Sequence, residues 1–395
     1  MAALAEKTML LLLDLLARLL YALYWATPYA FALGLVVLIG ALASESWAAA
    51  WVPPILHNMP WRWGLAALVL LVLLGSRRRA ARDNPNRQYL GLAGQLDRRI
   101  DSLFAWIGTL KYFKSPICMV EDPGSYRIKG DQVRQLIDGV LQPGDILLRG
   151  YDGYLDGLLI SQSGGAQGLQ AHFSHAAIYL GDLDDAADRP IVARRLQTLD
   201  GSGHWLEATE AQKETIRQSS AYFQSGRQKV IHSMTRGVFV EDILTFLRCD
   251  HLAVLRLKDT QIRYDEETRQ NAANTQLIHD LAGEGRAIHE RLMRGETVSR
   301  ADVLAAVHHS ALGKIGSCYD FQFNAVKTAH VFSCSEFVYY CFKSIHCYLG
   351  LLPKRHAFMD RFFARDTITP GDIFETTQTQ PDRAARMEVV WSSAA

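Results

Sequence analysis

The sequence predicts an α+β domain that follows an N-terminal membrane anchor. The first 75 residues are far more apolar than the rest of the chain. From residue 141 onward, short segments rich in β-branched and aromatic residues alternate with turns, and charged helical stretches follow. A chain of 395 residues has room for two or three units, and the C-terminal unit can bury a full core.

The anchor is predicted over residues 1–82 and contains three apolar segments. Residues 8–25 carry an acidic and a basic side chain four positions apart, which is costly in hydrocarbon, so this segment is either an interfacial helix or a span. Residues 28–48 and 60–75 are predicted to cross the membrane as a helical hairpin, the second with aromatic flanks suited to the headgroup region.

Flanking charges predict the orientation of this hairpin. The loop between its helices contains no Lys or Arg, whereas residues 76–82, directly after it, read SRRRAAR. The positive-inside rule therefore places the rest of the chain in the cytoplasm, at the inner (cytoplasmic) membrane. Residues 83–140 are predicted to be an amphipathic helical connector to the domain at 141–391.

Composition restricts the function classes. Lys plus Arg number 42 against 41 Asp plus Glu, so no general basic field points to nucleic acid as a partner. The six cysteines form no C-x-x-C pair, which favours reduced thiols over a disulfide framework. The spacing of Cys and His residues lacks the pattern of structural zinc sites, and we expect neither a metal nor a cofactor. The sequence does not indicate an oligomeric state.

The segment at 331–342 is predicted to place a cysteine at the start of a helix. Ser333 and Glu336 have the spacing of a capping box, and apolar residues then recur at helical spacing. Cys334 falls in the first turn, where helix amides and the macrodipole are expected to lower its pKa and make it nucleophilic. Cys341 falls in the apolar stripe, about two helical turns away, which is too far for a disulfide.

The strands predicted before this helix carry the candidate partners of the thiol. ILLRG at 146–150 and HAAIYLG at 175–181 are predicted strands, the second with His175 at its entrance. HWLEATE is a further predicted strand that carries Glu207, with Glu210 close by. Residues 229–258 are predicted to form a strand, a helix and a second strand. Helices are predicted over 264–312, and a turn with a final strand over 368–376.

Taken in order, the segments PGDILLRG, FSHAAIYLGD, HWLEA, YDFQFN and FSCSEFV resemble the circularly permuted NlpC/P60 papain-like cysteine hydrolases, especially the YiiX/YebB-like branch. The resemblance covers roughly residues 141–380 and implies an antiparallel sheet packed on helices. It also implies a Cys334 nucleophile, a His175 base and Glu207 as the residue that orients the imidazole. The insertions at 182–203 and 259–312 depart from compact members of the family.

This reading predicts a membrane-anchored cysteine hydrolase or acyltransferase that cleaves an amide or ester through a thioester acyl-enzyme. The substrate is a lipid or a peptide, and lipid is preferred. The domain is tethered beside the bilayer, and HAAIYLGD also resembles the permuted lecithin:retinol acyltransferase relatives. The alternatives are a peptidase or amidase acting on cell-wall-derived peptides, a non-catalytic membrane adaptor that uses the same groove, and a thiol redox protein, the least favoured.

Overall fold

The fold is described from a computed structural model. It describes isolated positions between 89 and 105, residue 160, and the ranges 126–152, 172–274, 281, 283–321, 329–355, 366–379 and 384–393.

The secondary structure of this part mixes strands and helices throughout. The strands are β1 Ile146–Gly150, β2 His175–Leu183, β3 Gln197–Leu199, β4 Trp205–Glu207, β5 Gly226–Met234, β6 Gly237–Asp242, β7 His251–Leu257, β8 Gln261–Ile262, β9 Val298–Ser299, β10 Cys318–Tyr319, β11 Val331–Phe332, β12 Lys354–Arg355, β13 Asp366–Thr367 and β14 Met387–Ser392. The α-helices are α1 Gly130–Gln135, α2 Asp185–Asp188, α3 Glu210–Gln218, α4 Ile243–Phe246, α5 Glu266–Asn274, α6 Glu284–Met293, α7 Arg300–Gly313, α8 Cys334–Cys341, α9 His346–Leu349 and α10 Pro370–Glu375.

One antiparallel sheet organises the described part. Its six strands run in the order β14-β7-β1-β2-β5-β6, and each neighbouring pair is antiparallel. The strand pairs β3-β4, β8-β9, β10-β11 and β12-β13 form separate two-stranded sheets. The predicted α+β class with an antiparallel sheet packed on helices is therefore confirmed.

The two faces of the sheet bury different sets of side chains. Because successive side chains of a strand point to opposite faces, β2 contributes Ala176 and Ile178 to one cluster and Ala177 and Tyr179 to the other. The first cluster packs against helices α6, α7 and α8 and contains Phe337 of α8. The second packs against the short helix α4 and against residues 128 and 136, at the end of the predicted connector. Below, these are the α8 face and the α4 face.

Several predicted elements form as expected. The strands at 146–150 and 175–181 and the cysteine helix are present, and residues 264–312 contain three helices. Two predictions were wrong. Residues 237–242, predicted as helix, form strand β6, because their backbone pairs with β5 and only the following four residues form a helix. The segment near 370, predicted as a final strand, is helix α10, which a Thr369 capping box starts.

No helix among the described residues is long and apolar enough to cross a membrane. The predicted anchor at 1–82 and the amphipathic helix of the connector lie outside the described residues, apart from isolated positions.

Candidate active site

The candidate nucleophile stands at the first residue of α8. Ser333 caps the helix: its hydroxyl accepts the amide of Glu336, and the Glu336 carboxylate accepts the amide of Ser333 at 2.9 Å. Ser233 of β5 donates its hydroxyl to the Phe332 carbonyl at 2.7 Å, which fixes the approach of the chain to the helix. The predicted placement of Cys334 at a capped helix start is confirmed.

The thiol of Cys334 is enclosed. The residue is 3% exposed, and its sulfur lies 3.7 Å from the Ser335 hydroxyl. Burial raises the pKa of the Cys334 thiol, although hydrogen bonds from the backbone of Ala176 and from Ser335 oppose that rise. The expectation of a lowered pKa was wrong for this conformation, because loss of hydration outweighs the stabilising hydrogen bonds.

The imidazole of His175 is paired with a second imidazole. His175 Nε2 lies 2.8 Å from Nδ1 of His232, on the neighbouring strand β5. Their rings meet edge to face, with centroids 5.0 Å apart. Because His175 Nε2 is hydrogen-bonded to His232, Nδ1 is the ring nitrogen of His175 that remains for proton transfer to or from Cys334. His232 is thus the residue that orients His175 in this structure.

Glu207 does not have the predicted position beside His175. It lies on β4, which belongs to the separate β3-β4 sheet, and its side chain is 71% exposed. Its carboxylate accepts a hydrogen bond from Lys213 Nζ at 2.6 Å. Glu210, the nearby alternative, binds the same ammonium group at 2.9 Å. Both carboxylates bind Lys213 of helix α3, the helix that begins at Glu210, and His232 takes the place that the sequence suggested for Glu207.

The sulfur and the imidazole flank the backbone of β2. Cys334 contacts the backbone of Ala176, whose side chain belongs to the α8 face. His175, the residue before it, lies on the opposite side of the strand, where its ring centroid is 6.0 Å from that of Phe246 in the α4 face. Among the described contacts of these two residues, no hydrogen bond joins Cys334 to His175.

Burial and a nearby buried arginine keep both imidazoles uncharged. Arg149 pairs with His175 in the β1-β2 register and is 4% exposed. It donates to the Phe246 carbonyl at 3.0 Å, and its guanidinium carbon lies 4.1 Å from the centre of the Phe246 ring. Burial, followed by the charge of Arg149, holds the pKa values of His175 and His232 well below the ordinary value of 6.5. Both rings are therefore neutral at neutral pH, as a general base requires.

Behind His232 lies a carboxylate. Oε2 of Glu241, on β6, is 3.6 Å from Nε2 of His232, and burial raises the pKa of Glu241. The series Glu241, His232, His175 runs across strands β6, β5 and β2. At 3.6 Å this contact is longer than a hydrogen bond. A closer approach of Glu241 would favour hydrogen on Nε2 of His232 and leave its Nδ1 as an acceptor for His175 Nε2–H.

The sequence prediction missed Arg149, His232 and Glu241. The available signal was weak: KVIHS is an apolar, β-branched strand with a single histidine, and such a residue is ordinary in a core. Only the pairing of β2 with β5 brings this histidine to His175.

Comparison with protein-family models, with curated proteins and with solved structures finds no match. The resemblance drawn from the sequence motifs therefore stays a prediction, and the site is interpreted from its own geometry.

Proposed function

We propose that the chain is a cysteine hydrolase or acyltransferase of the permuted NlpC/P60, papain-like type, with Cys334 as nucleophile, His175 as base and His232 as the orienting residue. The observation that carries the proposal is local. A capped helix start presents Cys334 to the backbone next to His175, and His175 Nε2 is already paired with a buried ring nitrogen of His232.

The chemistry follows from these atoms. His175 Nδ1 takes the thiol proton as Cys334 attacks the carbonyl carbon of an amide or ester, and a tetrahedral intermediate forms. We expect the amides of the first turn of α8 to stabilise its oxyanion. The protonated His175 then gives its proton to the leaving amine or alcohol, and a thioester remains on Cys334. Attack by water, or by an amine or alcohol acceptor, releases the acyl group.

The reaction requires a change of conformation at the entrance of β2. His175 must turn from the α4 face toward the sulfur, while the enclosed, neutral thiol must meet substrate. His175 is the first residue of its strand, and the turn must take place beside a backbone that the amide of Ser174 ties to the Arg149 carbonyl at 3.0 Å. Hydrogen bonds of a catalytic site often form only when substrate binds.

The substrate class is an acyl lipid or a peptide, and we favour the lipid because the sequence predicts a membrane anchor before the domain. The test uses the full chain in detergent, incubated with a total lipid extract and with a muropeptide mixture and followed by mass spectrometry. We expect loss of a lipid species with the wild type and no loss with Cys334→Ala or His175→Ala. Turnover of muropeptides alone would reassign the substrate to cell-wall peptides.

Glu207→Gln is the matched control for this experiment. The residue was the predicted third member of the triad, yet its carboxylate faces solvent and Lys213. We expect Glu207→Gln to keep wild-type turnover, whereas His232→Leu should lose most of it.

A non-catalytic membrane adaptor is the second candidate. It is favoured by the enclosure of Cys334 and by the absence of a hydrogen bond between that thiol and His175 among their described contacts. The adaptor predicts no Cys334-dependent product from either mixture and no acylation of Cys334 by an activated ester.

A further inference from the structure

Three metal-ligating side chains meet at one end of the central strands of the sheet. Asp152, His172 and His251 each offer one ligand atom, and these atoms lie within 4.8 Å of one another. Asp152 follows β1, His251 opens β7, and His172 precedes β2 by three residues. Because β1 pairs with both β2 and β7, sheet formation brings together ligands that lie far apart in the sequence.

The spacing of these atoms suits a transition metal. His251 Nε2 lies 3.2 Å from Asp152 Oδ1, and the His172 and His251 rings are stacked with centroids 4.2 Å apart. Zinc bonds of about 2.0–2.2 Å to nitrogen and oxygen place tetrahedral ligand atoms roughly 3.4 Å apart. The His251–Asp152 pair already has nearly this spacing, and a side-chain movement of at most about 1.4 Å brings in the ring of His172, which lies at the surface.

Contacts outside the three-ligand cluster hold Asp152 in position. Arg127 pairs with Asp152 Oδ2 at 2.6 Å, so Oδ1 is the oxygen that faces the imidazoles. The amide of Asp152 donates to Asp250 at 2.8 Å, which fixes the backbone. Such outer contacts orient metal ligands.

The backbone at His172 also approaches β1 closely. A Cβ atom on Gly150 would lie 1.7 Å from the His172 carbonyl oxygen, so only glycine permits this approach.

We propose that Asp152, His172 and His251 bind one zinc ion, with a fourth position open to water or to a further ligand. Two imidazoles and one carboxylate are a donor set that zinc accepts with an open position. The ion takes the place of the hydrogen bond between His251 Nε2 and Asp152 Oδ1. His251 Nε2 then binds zinc without a hydrogen, and the ring carries its hydrogen on Nδ1. Zinc ties the segment that enters β2, three residues before His175, to β7. The site stands independently of the cysteine chemistry.

The test is calorimetric titration of zinc into the full chain in detergent, after removal of metal with a chelator. We expect one ion per chain. His172→Ala, at an exposed position, and Asp152→Asn, which keeps the size of the side chain, should each weaken zinc binding more than about tenfold. Circular dichroism of each variant verifies folding, and visible absorption of the cobalt(II) form reports nitrogen and oxygen ligation.

His309→Ala is the matched control. His309 Nδ1 lies 3.2 Å from Glu284 Oε1, the same distance as in the His251–Asp152 pair, but this pair belongs to no three-ligand cluster among the described residues. The His309→Ala variant should therefore bind zinc with unchanged affinity. Absence of stoichiometric zinc binding would overturn the site. So would zinc binding that both His172→Ala and Asp152→Asn leave intact.

Discussion

Replacing His232 tests whether the imidazole pair serves catalysis. His232→Leu fills a similar volume but removes the ring nitrogen that lies 2.8 Å from His175 Nε2. His232 is fully buried, so water does not replace the lost partner. An unsatisfied buried donor costs about 1–3 kcal/mol. If this free energy is added to the activation barrier of acylation, the rate falls about 5- to 150-fold, because each 1.4 kcal/mol changes a rate tenfold.

The assay measures acylation of Cys334 by an activated p-nitrophenyl ester, with the rate of Cys334→Ala subtracted as background. His232→Asn offers an amide oxygen close to the position of Nδ1 and should recover part of the rate. Circular dichroism separates loss of activity from loss of fold. The reasoning is refuted if His232→Leu acylates at the wild-type rate, or if Glu207→Gln is slowed as much as His232→Leu.

Three further predictions concern the same strands. Glu241→Gln should lower the acylation rate several-fold and move the acidic limb of its pH profile, because it removes the negative charge 3.6 Å from His232. Stability to urea should fall as the pH drops below about 6.5, since His175 and His232 have lowered pKa values and the unfolded chain binds the extra protons; each contributes up to about 1.4 kcal/mol per pH unit. A urea midpoint that is flat between neutral and mildly acidic pH contradicts this. Asp145→Asn should lower the free energy of unfolding by about 3 kcal/mol, because it leaves the guanidinium of Arg256, now 2.7 Å from the carboxylate, without its buried counter-charge; an unchanged urea midpoint would show that the pair adds little.

The sequence by itself determined the local elements of the candidate site. The capping box at Ser333 and Glu336 specifies a helix start through contacts only three residues apart, and it placed Cys334 correctly. The β-branched run after His175 likewise specifies strand β2. These features depend on neighbouring residues, so the order of the chain suffices to predict them.

The tertiary structure alone decided which side chains meet. Pairing of β2 with β5 places His232 beside His175. Glu207 lies in the separate β3-β4 sheet, where its carboxylate binds Lys213 instead. Strand order also gathers the three candidate zinc ligands. Burial reversed the expected direction of the Cys334 pKa shift, because desolvation depends on everything packed around the sulfur. Strand register and solvent exclusion arise from contacts between distant segments, and no local pattern in the sequence encodes them.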